Sequence, residues 1–132
     1  MAQIAFAKLS GAGNDFVVMD NRKGVVPDDL ANFIEKVCAR RISVGADGVL
    51  LVENSDVADF KMRYFNSDGG EAETCGNGAR CIAKFAYSEG VVKSDKMTFE
   101  TKAGIYSAEI IENDVKLKVG DTVGMRLNFL LS

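Results

Sequence analysis

Residues 65–87 read FNSDGGEAETCGNGARCIAKFAY, and the second half of this stretch is the most informative segment for the fold. From 77 to 89 the only charged residues are Arg80, Lys84 and Glu89. A helix that is apolar around most of its circumference has to be surrounded by other elements. We therefore predict a central helix over 77–89 that ends at Gly90.

The flanking sequence contains runs that are typical of β-strands. Within 59–65, Phe60, Met62 and Tyr64 alternate with charged residues, which indicates a strand with one buried face. Other runs are rich in β-branched and aromatic residues and are separated by short turns. Strands are predicted at 3–9, 16–20, 49–54, 59–65, 97–102, 105–112, 115–120 and 126–132, with turns at 11–14, Ala103-Gly104 and Asn113-Asp114.

One further helix is predicted after Pro27. Asp28 and Asp29 follow the proline, and acidic residues are favoured as caps and in the first turn of a helix. An apolar stripe with helical spacing then runs along one face, and it consists of Leu30, Phe33, Ile34, Val37 and Cys38. Cys38 is therefore interpreted as a core residue.

Together these elements predict an α+β fold in which a curved mixed, largely antiparallel sheet wraps around a central helix. A dinucleotide-binding Rossmann fold is the main alternative, because Gly11 and Gly13 begin a GxG motif. However, Phe16 stands where the third glycine belongs, and a strand follows instead of a helix. The phosphates would have no helix N-terminus to bind, which excludes this alternative.

Composition limits the function classes. The 132 residues are 47% hydrophobic, enough for one domain with a core. The net charge of −3, with acids and bases interspersed, provides no basic surface for a nucleic acid. Because no segment approaches the roughly 18 apolar residues of a membrane span and the N-terminus lacks a signal-peptide pattern, we expect a cytoplasmic location. The chain has no histidine, which leaves proton transfer to a thiol, carboxylate, lysine or tyrosine, and no motif indicates a metal or other cofactor.

Cys75 is the candidate for proton transfer. It precedes the predicted central helix and is followed by Gly76, Asn77 and Gly78. A helix N-terminus carries unpaired N–H groups and a partial positive charge, which bind anions and stabilise a thiolate. The structural alternative is that Cys75 is a small buried hydrophobic residue and that the glycines only form a turn. Cys81, inside the helix, is interpreted as core.

Four segments of the chain resemble the diaminopimelate epimerase family, in the order that the family has them. The segments are KLSGAGNDFVVMDN at 8–21, RRISVGADGVLLVE at 40–53, FNSDGGEAETCGNGAR at 65–80 and the strand-rich stretch that extends to VGDTVGMRLNF. The resemblance covers essentially the whole chain, and CGNGAR preceded by FNxDG is highly specific.

The resemblance implies an isomerase of lysine and peptidoglycan precursor biosynthesis that interconverts LL- and meso-diaminopimelate without a cofactor. In the family, two cysteines lie on opposite sides of the substrate α-carbon; one thiolate removes a proton and the other thiol returns one. By resemblance, Cys75 is one of the two. Gly76 and Asn77 would bind the α-carboxylate through backbone N–H groups, and Asn14 and Asn66 would contact polar groups of the substrate.

The resemblance also implies that residues 1–120 form the N-terminal domain of a two-domain enzyme and that 121–132 begin the connection to the second. Neither Cys38 nor Cys81 lies in the sequence context of the second cysteine, so we expect this chain alone to be nearly inactive. The expected partners are the amino acid substrate and the second epimerase domain, with a homodimer left open, and with no nucleic acid or membrane.

Two other functions stay open at this point. Another cofactor-independent racemase, of the histidine or proline type, would have the same thiol and anion-binding helix but would bind a substrate with a different side chain. Proline racemases typically have histidine where this chain has Asn77, which counts against them. A non-catalytic module would use the helix terminus to bind a carboxylate, with Cys75 inert.

Overall fold

A computed structural model describes residues 6–11, 14–39, 47–73 and 76–118 of the chain. Within these ranges the chain forms eight strands and two helices. Their bounds are β1 Phe6–Gly11, β2 Asn14–Asp20, α1 Leu30–Cys38, β3 Gly48–Glu53, β4 Phe60–Asn66, β5 Glu71–Ala72, α2 Gly76–Ser88, β6 Lys96–Thr101, β7 Gly104–Ile111 and β8 Asp114–Lys118.

The strands form one mixed sheet in the order β1-β2-β3-β4-β6-β7-β8, and β5 pairs with β4 next to β6. The pairs β2/β3 and β4/β6 are parallel, and the other pairs are antiparallel. Each parallel pair is joined through a helix, since parallel neighbours need a long crossover. Strands β2 and β3 run in the opposite direction to β4 and β6, while both crossovers step the same way across the sheet. Two crossovers of the same hand therefore place α1 and α2 on opposite faces of the sheet.

The inner face of the sheet curls around α2. This helix contacts the central strands and also both edge strands, β1 and β8. Ala79, Ile82 and Ala83 of the helix are fully buried, together with the stacked rings of Phe60 and Phe99, whose centroids are 5.0 Å apart. The predicted central helix and the predicted fold class are therefore confirmed.

The outer face is covered by α1 over the central strands. Ile34, Val37 and Cys38 of α1 are buried in a second apolar cluster, as the helical stripe predicted. Strand β3 lies between the two helices, with Val49 and Leu51 in the α1 cluster and their neighbours along the strand in the α2 cluster. Burial on both faces explains why β3 is apolar without alternation.

Two local predictions are wrong. Asp29 stands at the N-cap of α1, but its side chain makes no capping hydrogen bond. The hairpin turns lie one residue earlier than predicted, because Gly104 and Asp114 already begin strands. In the second turn Glu112, and not the asparagine after it, takes a positive φ of 57°.

The remaining boundaries agree with the sequence to within a few residues. Gly90 follows α2 with a φ of 75°, in the left-handed conformation predicted for the end of the helix. β5 was not predicted, because a strand of two residues leaves no periodic pattern. The predicted strand at 126–132 lies outside the described residues. Neither described helix has the length and apolar character that a membrane span requires.

Candidate active site

Polar residues collect at one end of the sheet. The parallel strands β2 and β3 both begin there, with Asn14 and Gly48 as their first residues. β4 runs in the opposite direction and ends there with Asn66, which is paired with Gly48. β1 also ends there, with Ser10 opposite Asp15. The topology thus brings together segments that are far apart in the sequence.

Hydrogen bonds hold three of these strand ends in a fixed arrangement. The Ser10 hydroxyl donates to Asp15 Oδ1 at 2.5 Å. The backbone N–H of Asp15 donates to Asp47 Oδ2 at 2.7 Å, and the N–H of Asp47 donates to the carbonyl of Asp15 at 2.9 Å. The Asp47 carboxylate therefore bonds to the backbone at a strand end, as a turn-forming acid does, whereas the Asp15 carboxylate bonds to a side chain.

Helix α2 begins at the same end of the sheet. Its first residue, Gly76, is exposed, and Asn77 is half-buried. Asn77 lines a cavity of about 260 Å³ together with Ser10, with Arg80, Cys81 and Lys84 of α2, and with Asn113 and Asp114, where the β7–β8 turn leads into β8. The cavity is therefore rimmed by a hydroxyl, two amides and charges of both signs. Sequence reasoning did not assign Ser10, Arg80 or the β7–β8 turn to the site, because contacts between residues so distant along the chain leave no local pattern.

The five predicted site residues differ in how far the structure describes them. Asn66 is exposed at the end of β4, and Gly76 and Asn77 begin α2. Asn14 is described only by its backbone, as the first residue of β2. Cys75 lies outside the described residues. The structure brings the described strand and helix ends to one region, and their roles in binding stay predictions.

The loop after Asn66 is closed by its own backbone and rests on α1. The N–H of Asn66 donates to the carbonyl of Gly70, and the N–H of Gly69 donates to the carbonyl of Asn66, both at 2.9 Å. Asp68 Oδ1 accepts the N–H of Gly70 at 2.8 Å. Gly69 is buried with a φ of 90°, and a Cβ at this position would lie 2.7 Å from the backbone oxygen of Ala31. Only glycine permits this approach of the loop to α1.

Arg63 connects β4 to two of its neighbouring strands, β3 and β5. Its Nε and Nη2 donate to the two carboxylate oxygens of Glu71 at 3.0 and 2.9 Å, and Nη1 donates to Glu53 at 3.4 Å. The guanidinium carbon lies 5.0 Å from the centroid of the Phe65 ring. The hydrogen bonds from Arg63 hold the pKa of Glu71 below its usual value, and the same bonds raise the pKa of Arg63.

Acidification is expected to remove the stabilisation that this pair provides. Because the folded-state pKa of Glu71 is lowered, its contribution is complete above the unfolded value of about 4.3 and is lost as the pH falls through the folded value. We expect Glu71→Gln to cost about 1 kcal/mol of unfolding free energy near pH 7 and clearly less near pH 3. Urea denaturation at each pH measures this difference.

The control for that experiment is Asp20→Asn. The pKa of Asp20 is also lowered, mainly by hydrogen bonds from Arg22, but this pair is more exposed to solvent. The cost of Asp20→Asn should fall with pH in the same direction and with a smaller amplitude. A cost of Glu71→Gln that stays constant from neutral to acid pH would contradict the role assigned to the carboxylate.

A comparison with protein families identifies the family to which this chain belongs. The profile of the family described as diaminopimelate epimerase matches residues 6–124. The chain belongs to the diaminopimelate epimerase family. The match includes every element of the fold described above and the predicted site residues, Cys75 included.

Individual members of the diaminopimelate epimerase family agree with this assignment. The chain is 49% identical to the diaminopimelate epimerase of Caldanaerobacter subterraneus subsp. tengcongensis over 113 residues, which are 86% of this chain and 40% of that protein. It is also 49% identical to the enzyme of Aquifex aeolicus over 126 residues, covering 86% of this chain and 44% of the relative. The chain thus spans less than half the length of these curated relatives.

The fold extends beyond diaminopimelate epimerases. The solved structure of a methylitaconate-delta-isomerase superposes with a TM-score of 0.67 at 15% sequence identity, covering 89% of this chain and 37% of that one. At this identity the likeness supports the fold alone. It agrees with the curled mixed sheet around α2.

Proposed function

We propose that this chain provides one side of the active site of a diaminopimelate epimerase, with Cys75 as one of two thiols that transfer protons at the substrate α-carbon. One observation supports this most strongly. The motif CGNGAR lies within the matched family region and leads into α2, where the polar strand ends meet.

The setting of α2 favours an ionised thiol and a bound carboxylate. The first N–H groups of a helix have no partner within the helix, and α2 has 13 residues. Gly78 and Ala79 are buried whereas Gly76 is exposed and Asn77 is half-buried, so one side of the first turn packs in the core and the other side is open to a ligand. We infer that the N–H groups of Gly76 and Asn77 bind the α-carboxylate, which can approach the backbone closely at a residue without a side chain.

The proposed reaction is a proton exchange between two faces of one carbon. A thiolate removes the α-proton as S–H, and the electron pair of the broken C–H bond spreads into the carboxylate. The oriented N–H groups of α2 stabilise that charge, and the second thiol gives a proton to the opposite face. Asn14 and Asn66, at the same end of the sheet, would contact polar groups of the substrate.

The second thiol is proposed to come from a second domain. Cys38 and Cys81 are only 6% and 5% exposed, and they lie in the apolar clusters on opposite faces of the sheet. Cys38 lies on the face of the sheet opposite α2, and Cys81, although it lines the cavity beside Asn77, lies more than one helical turn beyond the start of α2. We therefore propose that residues 1–120 act as one domain, that 121–132 connect it to a partner domain, and that the enzyme works in the cytoplasm, where thiols stay reduced.

Labelling of Cys75 with iodoacetamide tests the thiolate in the chain as it is. We expect a labelling rate whose pH midpoint lies clearly below the ordinary thiol value of about 8.5, because the helix terminus stabilises the ionised form. Mass spectrometry of the cysteine peptides measures the rate, with the buried Cys38 and Cys81 as internal controls that should stay unlabelled in the folded chain. A midpoint near the ordinary value would contradict the proposal and favour a carboxylate-binding module with an inert thiol.

A further inference from the structure

The hairpin between β4 and β5 contains the motif FNxDG, which includes one of the predicted site residues. Phe65 is buried in the cluster beneath α1, and Asn66 is exposed as the last residue of β4. Asp68 and Gly69 lie in the turn that follows. The motif therefore places a turn directly beside a residue that is expected to contact the substrate.

The turn fixes the backbone of Asn66 and leaves its side chain available. The N–H of Asn66 donates to the carbonyl of Gly70, and its carbonyl accepts the N–H of Gly69, both at 2.9 Å. The side-chain amide of Asn66 makes no hydrogen bond with the described residues, whereas the amides of Asn21 and Asn54 donate to neighbouring oxygens. An amide on a fixed backbone can bind a ligand with little further loss of conformational freedom.

The turn itself is held at two points. Asp68 Oδ1 accepts the N–H of Gly70 at 2.8 Å, which closes the turn through a side chain. The Asp68 carboxylate is exposed and makes no ion pair with the described residues, so this hydrogen bond is its contribution to the loop. The buried Gly69 provides the second point, because its ideal Cβ position lies 2.7 Å from the backbone oxygen of Ala31 in α1.

We propose that Asp68 is a positioning residue for Asn66: by holding the turn closed, it fixes the strand end from which the Asn66 amide reaches the substrate. The inference rests on the function proposed above, in which Asn66 contacts polar groups of the substrate. The alternative is that the carboxylate only stabilises the hairpin. That alternative predicts lower stability with unchanged substrate binding, whereas positioning predicts weaker binding by a protein that is still folded.

Hydrogen exchange in the chain as it is tests whether Asp68 fixes Asn66. In Asp68→Ala we expect the N–H of Asn66 to exchange at least about fivefold faster and the N–H of Thr98 to stay unchanged, as followed by NMR. Asp59→Ala is the matched control, because Asp59 Oδ2 accepts the N–H of Thr98 at 2.9 Å beside the other end of β4. It should speed exchange at Thr98 and leave Asn66 unchanged. Asp68→Asn keeps an acceptor oxygen and should exchange like the parent chain.

Kinetics then test whether the effect reaches the substrate, in a fusion of this chain to the part of a relative that the match leaves uncovered. Asn66→Ala should raise KM for LL-diaminopimelate about tenfold, and Asp68→Ala about three- to tenfold with kcat within about twofold, as expected for lost binding that is equal in ground and transition state. Asp68→Asn and Asp59→Ala should stay within about 1.5-fold of the parent. In the background of Asn66→Ala, Asp68→Ala should raise KM no further, because Asp68 acts through Asn66.

Failure of this inference differs from failure of the proposed function. Unchanged exchange at Asn66 in Asp68→Ala would overturn the positioning role, and this measurement needs no activity. An unchanged KM in Asp68→Ala while Asn66→Ala raises it, or a KM effect of Asp68→Ala that persists in full without the Asn66 amide, would overturn it as well. An unchanged KM in Asn66→Ala would instead contradict the proposed contact between Asn66 and the substrate.

Discussion

Replacing Cys75 by serine is expected to reduce exchange of the substrate α-proton with deuterated water by roughly 10³-fold or more. Since this chain is proposed to carry only one of the two catalytic thiols, the measurement needs a fusion of this chain to the part of a relative that the match leaves uncovered. A serine hydroxyl is nearly as large as the thiol but is far less acidic. It therefore does not ionise near neutral pH and cannot act as the base that removes the proton. NMR of LL-diaminopimelate in deuterated water follows the exchange directly.

Two controls separate chemistry from folding in that fusion. Cys38→Ala changes a buried residue of α1 on the opposite face of the sheet and should leave exchange within a few-fold of the parent. The chain without the added part should exchange the α-proton no faster than buffer, because one face of the carbon meets no acid. Exchange at enzymatic rates by the isolated chain would refute the proposal that the second thiol lies elsewhere. Faster exchange of histidine or proline than of diaminopimelate would favour a related racemase.

Gly69→Ala is expected to lower the free energy of unfolding by about 3 kcal/mol. The φ of 90° at Gly69 disfavours any side chain, and the new Cβ would lie 2.7 to 2.9 Å from three atoms of Ala31, two of them backbone. Either the loop after Asn66 or the first turn of α1 must shift. Urea denaturation followed by circular dichroism is the suitable measurement, since the chain has no tryptophan.

Gly24→Ala is the matched control for the contact with α1. Gly24 has a φ of 70°, also in the left-handed region, but no atom lies within 4 Å of its ideal Cβ position. It should therefore show the conformational cost alone, about 1 kcal/mol. Equal losses of unfolding free energy in Gly69→Ala and Gly24→Ala would mean that α1 can shift away from the new Cβ at no cost in free energy. The loop after Asn66 would then not be anchored to this helix.

The sequence predicted the fold well where burial leaves a pattern. The scarcity of charge in α2 indicated a helix enclosed by the sheet, and the stripe ending at Val37 and Cys38 indicated the face of α1 that packs on β3. Both signals arise because a whole face has to be apolar to be buried. The family motif added the expected chemistry at Cys75, which no periodic pattern could provide.

What could not be predicted depends on contacts between distant residues or on single backbone choices. The hydrogen bonds from Arg63 to Glu71 connect β4 to β5. The pairing of these two strands was not predicted, because β5 is too short to be recognised from the sequence. Asp15 and Asp47 are 32 residues apart, and only the parallel pairing of β2 and β3 brings them together. In the β7–β8 turn the positive φ occurs at Glu112, although the neighbouring asparagine tolerates this conformation better. The geometry of the hairpin, and not the residue preference, therefore determines the backbone conformation here.

The burial of β3 on both faces has a consequence for strand alignment. A shift of this strand by one position would exchange Leu50 and Val52 with Val49 and Leu51, and either set is apolar enough for either face. Hydrophobicity alone therefore cannot choose between the alignments. The choice falls to Asp47, bonded to the start of β2, and to Gly48, where any Cβ would meet the carbonyl of Phe65 at 2.8 Å. The polar strand ends around Asp47 and Gly48 are thus also what prevents the middle of the sheet from slipping.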